Sequence, residues 1–115
     1  MKHLKKIFES RLSEDIKEYF YEFTDKFAYV KFEVLEKEPD RLSALPYFVV
    51  YIAIEEKYWS SNRSKISESL NDCIIHLIKS MDLVKIDNDN YFDILSTQHY
   101  NRCACRIIEK KFRTR

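Results

Sequence analysis

The chain is 115 residues long and contains no glycine, where ordinary usage of roughly 7% predicts about eight. Dinucleotide fingerprints, P-loops, nucleophile elbows and EF-hand loops all require glycine at fixed positions, for positive φ or close backbone approach to a ligand. None of them can be built here. With 20 basic against 19 acidic side chains and 45% hydrophobic content, the sequence reads as one globular domain over residues 1–115. Its charge balance neither suggests a DNA mimic nor demands nucleic acid.

The chain opens with a helical stripe over residues 4–27. Leu4, Ile7, Phe8, Leu12, Ile16, Tyr19, Phe20, Phe23 and Phe27 recur in steps of three and four, with Lys, Glu and Asp on the opposite face. Residues 28–36 then alternate, placing Val30, Phe32 and Val34 on one face of a strand. A turn-like stretch at 37–43 ends it. From Pro46 a second strand runs over 47–58, with Phe48, Val50, Ile52 and Ile54 on one face and the hardly more polar Tyr47, Val49, Tyr51 and Ala53 on the other. A strand apolar on both faces is either central in a covered sheet or half-buried by a partner chain.

Residues 60–64 (Ser, Ser, Asn, Arg, Ser) supply N-cap candidates for a second helix, whose stripe is Ile66, Leu70, Cys73, Ile74, Leu77, Ile78 and Met81. Residues 83–86 read as a short strand. Asp87, Asn88, Asp89 and Asn90 form a turn of the residue types that best replace glycine at positive φ; Asn62 and Asn101 are the other candidates for that conformation. The last segment, roughly 98–112, alternates Tyr100, Arg102, Ala104, Arg106 and Ile108 against Asn101, Cys103, Cys105 and Ile107. The order α-β-β-α-β predicts an α+β two-layer sandwich with a mainly antiparallel sheet.

No stretch approaches 18 apolar residues, so no membrane span is expected. The first twenty residues lack the apolar core and cleavage site of a signal peptide. Three cysteines, an odd number without an export signal, suggest reduced thiols and a cytoplasmic location.

Cys73 and His76 on the second helix, with His99, Cys103 and Cys105 on the last strand, resemble a zinc set if the helix packs on the face those odd-numbered residues share. Strand residues two apart are separated by roughly 6.5 Å, whereas zinc holds two sulfurs under about 4 Å apart. The better reading is that the cysteines are small buried hydrophobes. A Cys–His nucleophile would lack an oxyanion hole and an orienting carboxylate. Asp87, Asp89 and Asp93 resemble part of a calcium loop, but Tyr91 and Gln98 stand where oxygen ligands belong. Glu55 and Glu56 fall on opposite strand faces. No catalytic site, metal site or cofactor is expected.

What remains is aromatic and basic surface. Tyr47, Tyr51, Tyr58 and Trp59 crowd one small core, and either the first helix and loops cover the second face of the sheet or that face is a protein–protein interface. Tyr100, Arg102 and Arg106 on the last strand extend the candidate interface, and the two arginines would guard a sheet edge. Between Arg102 and Arg115 six basic side chains oppose only Glu109, which reads as a solvated basic end or a nucleic-acid contact.

From Pro46 onward a both-face apolar strand (48–54) runs into Tyr58, Trp59 and Ser60, followed by an amphipathic helix, an Asp-rich turn and a long basic strand. This stretch, 46–112, resembles the tail-completion or tail-terminator proteins of long-tailed phages. The resemblance implies a structural subunit that assembles with copies of itself through sheet edges and aromatic faces, inside a phage-like particle. It departs from the family pattern in lacking glycine at the sheet turns and in its short 37–45 link. Two alternatives stay open: a monomeric inhibitor, immunity or anti-defence protein that binds one partner, and a small nucleic-acid-binding domain using Tyr100, Arg102 and Arg106.

Overall fold

The apolar run that begins after Pro46 becomes strand β2 (Tyr47–Glu55), and every other strand is placed by it. β1 (Val30–Lys37) pairs antiparallel along one side, from Val30 opposite Ile54 to Lys37 opposite Tyr47. β5 (Ala104–Thr114) pairs antiparallel along the other, from Tyr47 opposite Arg113 to Glu55 opposite Cys105. The far side of β5 takes β3 (Leu83–Lys85) and β4 (Asn90–Leu95), both antiparallel to it. The structure, a computed structural model, describes the backbone of residues 2–86, 90–95 and 104–115 and the side chains of 12–86 and 104–115. The α+β sandwich and the antiparallel sheet are as the sequence predicts. β4 is an addition, because its six residues carry no clear alternation.

Two helices complete the chain, α1 (Lys2–Thr24) and α2 (Glu56–Met81). Both lie on the same face of the sheet. Ile16, Phe20 and Phe23 from α1 and Trp59, Ile66, Leu70, Ile74 and Leu77 from α2 form one cluster with Val30, Val34, Phe48, Val50, Ile52, Ile54, Ile108 and Phe112. Phe20, Ile54, Ile66, Leu77 and Phe112 are completely buried, and each contributes roughly 1.5–3 kcal/mol relative to an exposed side chain. This single layer holds the fold. The first helix does not cover the second face of the sheet, because its apolar stripe is used up beside α2.

Several boundaries move for local reasons. α1 ends at Thr24, and Phe27 belongs to the tightened turn after it, in which Lys26 N–H donates to Phe23 O (3.3 Å) and Phe27 N–H to Thr24 O (3.0 Å). β2 stops at Glu55, and the helix starts at Glu56 without a break, so Tyr58 and Trp59 lie on α2 rather than on the strand. The predicted caps at 60–64 sit inside α2, where Asn62 leaves helical geometry (φ −128°, ψ 18°). There the Ser60, Ser61 and Asn62 side chains donate to the carbonyls of Glu56, Lys57 and Tyr58, four residues back. Such back-bonding competes with the helix ladder and bends it. The cap signal therefore marks a kink instead of a start.

β5 is an interior strand and not an edge, so Arg106 does not guard against uncontrolled pairing; the edges are β1 and the β3–β4 line. From Lys85 to Asn90 is five steps, while their partners Phe112 and Glu109 are three apart. The turn expected at 87–90 falls on this interval. Asn90 opens β4, while Asp87, Asn88 and Asp89 lie outside the described residues. Lys110 is buried (2% exposed) with the parity of Ile108 and Phe112, on the helix-covered face.

Among the described residues the one positive φ belongs to Asp82 (53°), the left-handed C-cap of α2, whose N–H bonds Ile78 O. Asn62 has negative φ, and Asn101 lies outside the described residues. A helix ending in this way ordinarily uses glycine. The Asp82 carboxylate meets Arg115 at 2.7 Å, but both side chains are mostly exposed, so that pair adds little. Asp82→Gly is therefore expected to raise stability by about 1 kcal/mol, seen as a higher urea midpoint at constant m-value. Asp82→Ala should lower the midpoint, and a midpoint unmoved in both variants would contradict strain at this cap.

Candidate functional site

Alternation puts Lys31, Glu33, Leu35 and Lys37 of β1, Tyr47, Val49, Tyr51, Ala53 and Glu55 of β2, and Cys105, Ile107, Glu109, Lys111 and Arg113 of β5 on the second face of the sheet. Among the described residues no helix covers this face. Val49 (1% exposed), Ala53 and Cys105 are nevertheless buried. In the register Val49 lies between Leu35 and Lys111, and Tyr51 lies between Glu33 and Glu109.

The charges on this face are ordered in rows. Lys37, Tyr47 and Arg113 form a basic row, and Glu33, Tyr51 and Glu109 an acidic one. Within β5 the Lys111 ammonium reaches the Glu109 carboxylate at 2.7 Å, with both side chains 16% exposed. Burial, and then the charge of Glu109, pushes the Tyr51 hydroxyl above its ordinary pKa, so the ring stays neutral. Tyr51 is half-buried and central, a flat apolar ring with a polar tip.

Tyr47 is held differently. Its hydroxyl donates to Asp40 Oδ2 (2.5 Å), while Asp40 Oδ1 accepts from Leu42 N–H (2.8 Å). Asp40 N–H bonds Ser43 O (2.9 Å), and the Ser43 hydroxyl bonds Leu45 O (2.8 Å). The link between β1 and β2 is thus fixed by side-chain turns where a glycine turn is more usual. The bond from Tyr47 holds the Asp40 carboxyl below its usual range. The same bond, with burial, pushes the Tyr47 hydroxyl up to about 12.

The predicted interface residues separate into three groups. Tyr47 and Tyr51 are on the second face, Tyr47 buried and Tyr51 half-buried. Trp59 is not on a surface: it is 4% exposed in the helix-side core, with Arg63 Cζ 6.0 Å and Arg106 Cζ 5.6 Å from its ring centre. Arg106 also forks onto Glu56, Nη2 to Oε1 at 3.2 Å and Nε to Oε2 at 3.4 Å. It ties the start of α2 to β5, through a cation–π contact of about 1 kcal/mol and a half-exposed ion pair of less. Glu56 is accordingly a helix residue and not a strand partner of Glu55. Tyr58 is half-buried at the helix start and packs on Tyr29. Tyr100 and Arg102 lie outside the described residues.

The cysteine–histidine set does not converge. α2 packs on the even-numbered face of β5, so Cys73 and His76 are on the opposite side of the sheet from Cys105; His99 and Cys103 lie outside the described residues. Cys73 Sγ lies 3.4 Å from Tyr19 O between the helices. Burial, reinforced by Glu22, pushes the thiol up to about 11, away from the reactive thiolate. His76 stacks edge-on against Tyr19 (5.3 Å). Among the described residues no three His, Cys, Asp or Glu side chains gather as a metal site would require.

No family model matches the chain, and no curated protein or solved structure matches it significantly.

The Tyr47–Asp40 bond makes an alkaline prediction. A tyrosine whose folded pKa is raised from 10 to about 12 binds its proton more tightly in the fold. Its contribution is complete below the unfolded value and is lost as pH rises from about 10 to about 12. The urea midpoint of the natural chain is expected to fall across that window more steeply than that of Tyr47→Phe. Parallel profiles would contradict the bond.

Proposed function

We propose that the chain is a non-enzymatic interaction subunit that assembles with a second copy of itself through the helix-free face of its sheet. The observation that carries this reading is the both-face apolar strand β2, whose helix-side residues fill the core while Val49, Tyr51 and Ala53 face a side with no helix layer among the described residues. The arrangement of charge favours a like partner. Lys37 and Glu33 are four residues apart on one strand face, roughly 13 Å. A two-fold axis through the face sets each basic row over the partner's acidic row. A net charge of +1 raises no long-range repulsion between copies.

The edges are less suited to assembly. β1 carries Lys31, Glu33, Glu36 and Lys37 along its length, and charged edge strands resist open-ended pairing. The resemblance to tail-terminator proteins supports self-assembly in the same general sense, although its strand-edge contacts fit this chain less well than a face contact.

Size sets the strength. Four strand widths of about 4.8 Å and a length of roughly 30 Å give a face of about 600 Å², below the roughly 800 Å² per partner of a stable complex. The dimer should be reversible. Sedimentation velocity from about 5 to about 500 µM is expected to show a rising weight-average mass. Lys37→Glu should weaken association several-fold, and adding Glu33→Lys in the same chain should restore it. Both sites are exposed, so neither change disturbs the core. A constant monomer mass over the whole range would refute the reading.

A further inference from the structure

At the end of the sheet where β2 passes into α2, a cavity of about 370 Å³ is lined by Tyr29, Glu55, Lys57, Tyr58, Ser61 and Asn62. It lies beside the kink at Asn62, and Tyr29, just before β1, stays outside the core at 51% exposed. The chain is held there by Glu55 N–H donating to Tyr29 O (3.3 Å). The Tyr29 and Tyr58 ring centres are 5.2 Å apart with planes inclined at 54°. Phe27 backs Tyr58 at 6.3 Å.

The lining is mainly aromatic and carries one carboxylate, Glu55, and one ammonium, Lys57. The Ser61 hydroxyl and the Asn62 amide are committed to helix carbonyls. The other lining residues are the Tyr29 and Tyr58 phenols, Lys57, and Glu55, whose carboxylate no side chain of the described residues pairs. Lys57 is exposed at the rim, and the cation–π contacts of the described residues go to Trp59 instead, from Arg63 and Arg106. Two rings inclined at 54° with centres 5.2 Å apart can both turn a face to one point about 6 Å from each, within cation–π reach. A carboxylate beside such a pair adds the counter-charge.

We infer that this cleft binds an alkylammonium group, seated against the Tyr29 and Tyr58 rings with Glu55 as its counter-ion. A neutral ligand of the same shape gains the apolar contact but neither the quadrupole attraction nor the carboxylate. The shared chemistry is that of a choline-type headgroup and of a methylated lysine side chain. The site is at the end of the sheet, beyond the charged rows proposed for self-assembly, and Glu55 is its one residue already placed on the helix-free face.

The test is an NMR titration of the full chain with choline, with its neutral isostere 3,3-dimethylbutanol, and with a short peptide carrying trimethyllysine. Choline is expected to shift the ring signals of Tyr29 and Tyr58 saturably, with the isostere at least about tenfold weaker. Tyr29→Leu keeps apolar bulk at an exposed position but removes one π face, and should weaken choline about tenfold; Glu55→Gln should weaken it about threefold or more. Tighter binding of the peptide assigns the group to a protein side chain, and tighter binding of choline assigns it to a small molecule; both support the site. Equal binding of choline and the isostere, or no shift up to about 20 mM, overturns it.

Discussion

A single strand with no polar face sets the terms for the whole molecule. β2 pairs with β1 along eight residues and with β5 along nine, so its backbone is satisfied on both sides and only its faces remain to be covered. Phe48, Val50, Ile52 and Ile54 are covered by α1 and α2 together. Both described helices lie on that side, so among the described residues no helix covers Tyr47, Val49, Tyr51 and Ala53. Among the described residues a thin layer of tyrosine, lysine and glutamate side chains flanks them in the register. Such a layer can keep water from Val49 without forming a second core, and it can also meet the same layer of another molecule.

Among the described residues the absence of glycine has a structural counterpart at three bends. The β1–β2 link is pinned by Asp40 and Ser43, the bend in α2 by Ser60, Ser61 and Asn62, and the end of α2 by a left-handed aspartate at position 82. In each case a short polar side chain makes a local hydrogen bond or tolerates a conformation that glycine would otherwise supply. The cost is small because these bonds are local. The benefit is a chain with fewer unfolded conformations to lose. Loops of this kind hold a surface in shape, which suits an interaction subunit better than a gated active site.

Much of the fold was legible because it was periodic. The α1 stripe from Leu12 to Phe23 and the α2 stripe from Ile66 to Leu77 are where their spacing predicts, and the alternation in β1 and β2 gives the right faces. What failed was local punctuation. Ser60 to Ser64 has the composition of a helix start, but tertiary packing of Trp59 and the Glu56–Arg106 fork begins the helix earlier. Parity in β5 was readable from Ala104 to Ile108, whereas the burial of Lys110 was not. Which parity met the helices was not, because that depends on strand order, and so the cysteine–histidine set looked convergent when it is split by the sheet. Of the predicted surface, Tyr51 was found by alternation alone. Tyr29, the exposed wall of the aromatic cleft, lies inside the 28–36 alternation, but that pattern marks only Val30, Phe32 and Val34 and carries no sign that Tyr29 meets Tyr58.

The central claim is that the helix-free face, and no other aromatic surface, is buried when two copies meet. Hydroxyl-radical footprinting of the tyrosines over a concentration series measures this directly. Tyr51 oxidation should fall as concentration rises, while the exposed Tyr21 and Tyr29, on the helix side and at the sheet's end, keep a constant rate. A Tyr51 rate independent of concentration, with protection appearing at Tyr21 or Tyr29, would contradict it.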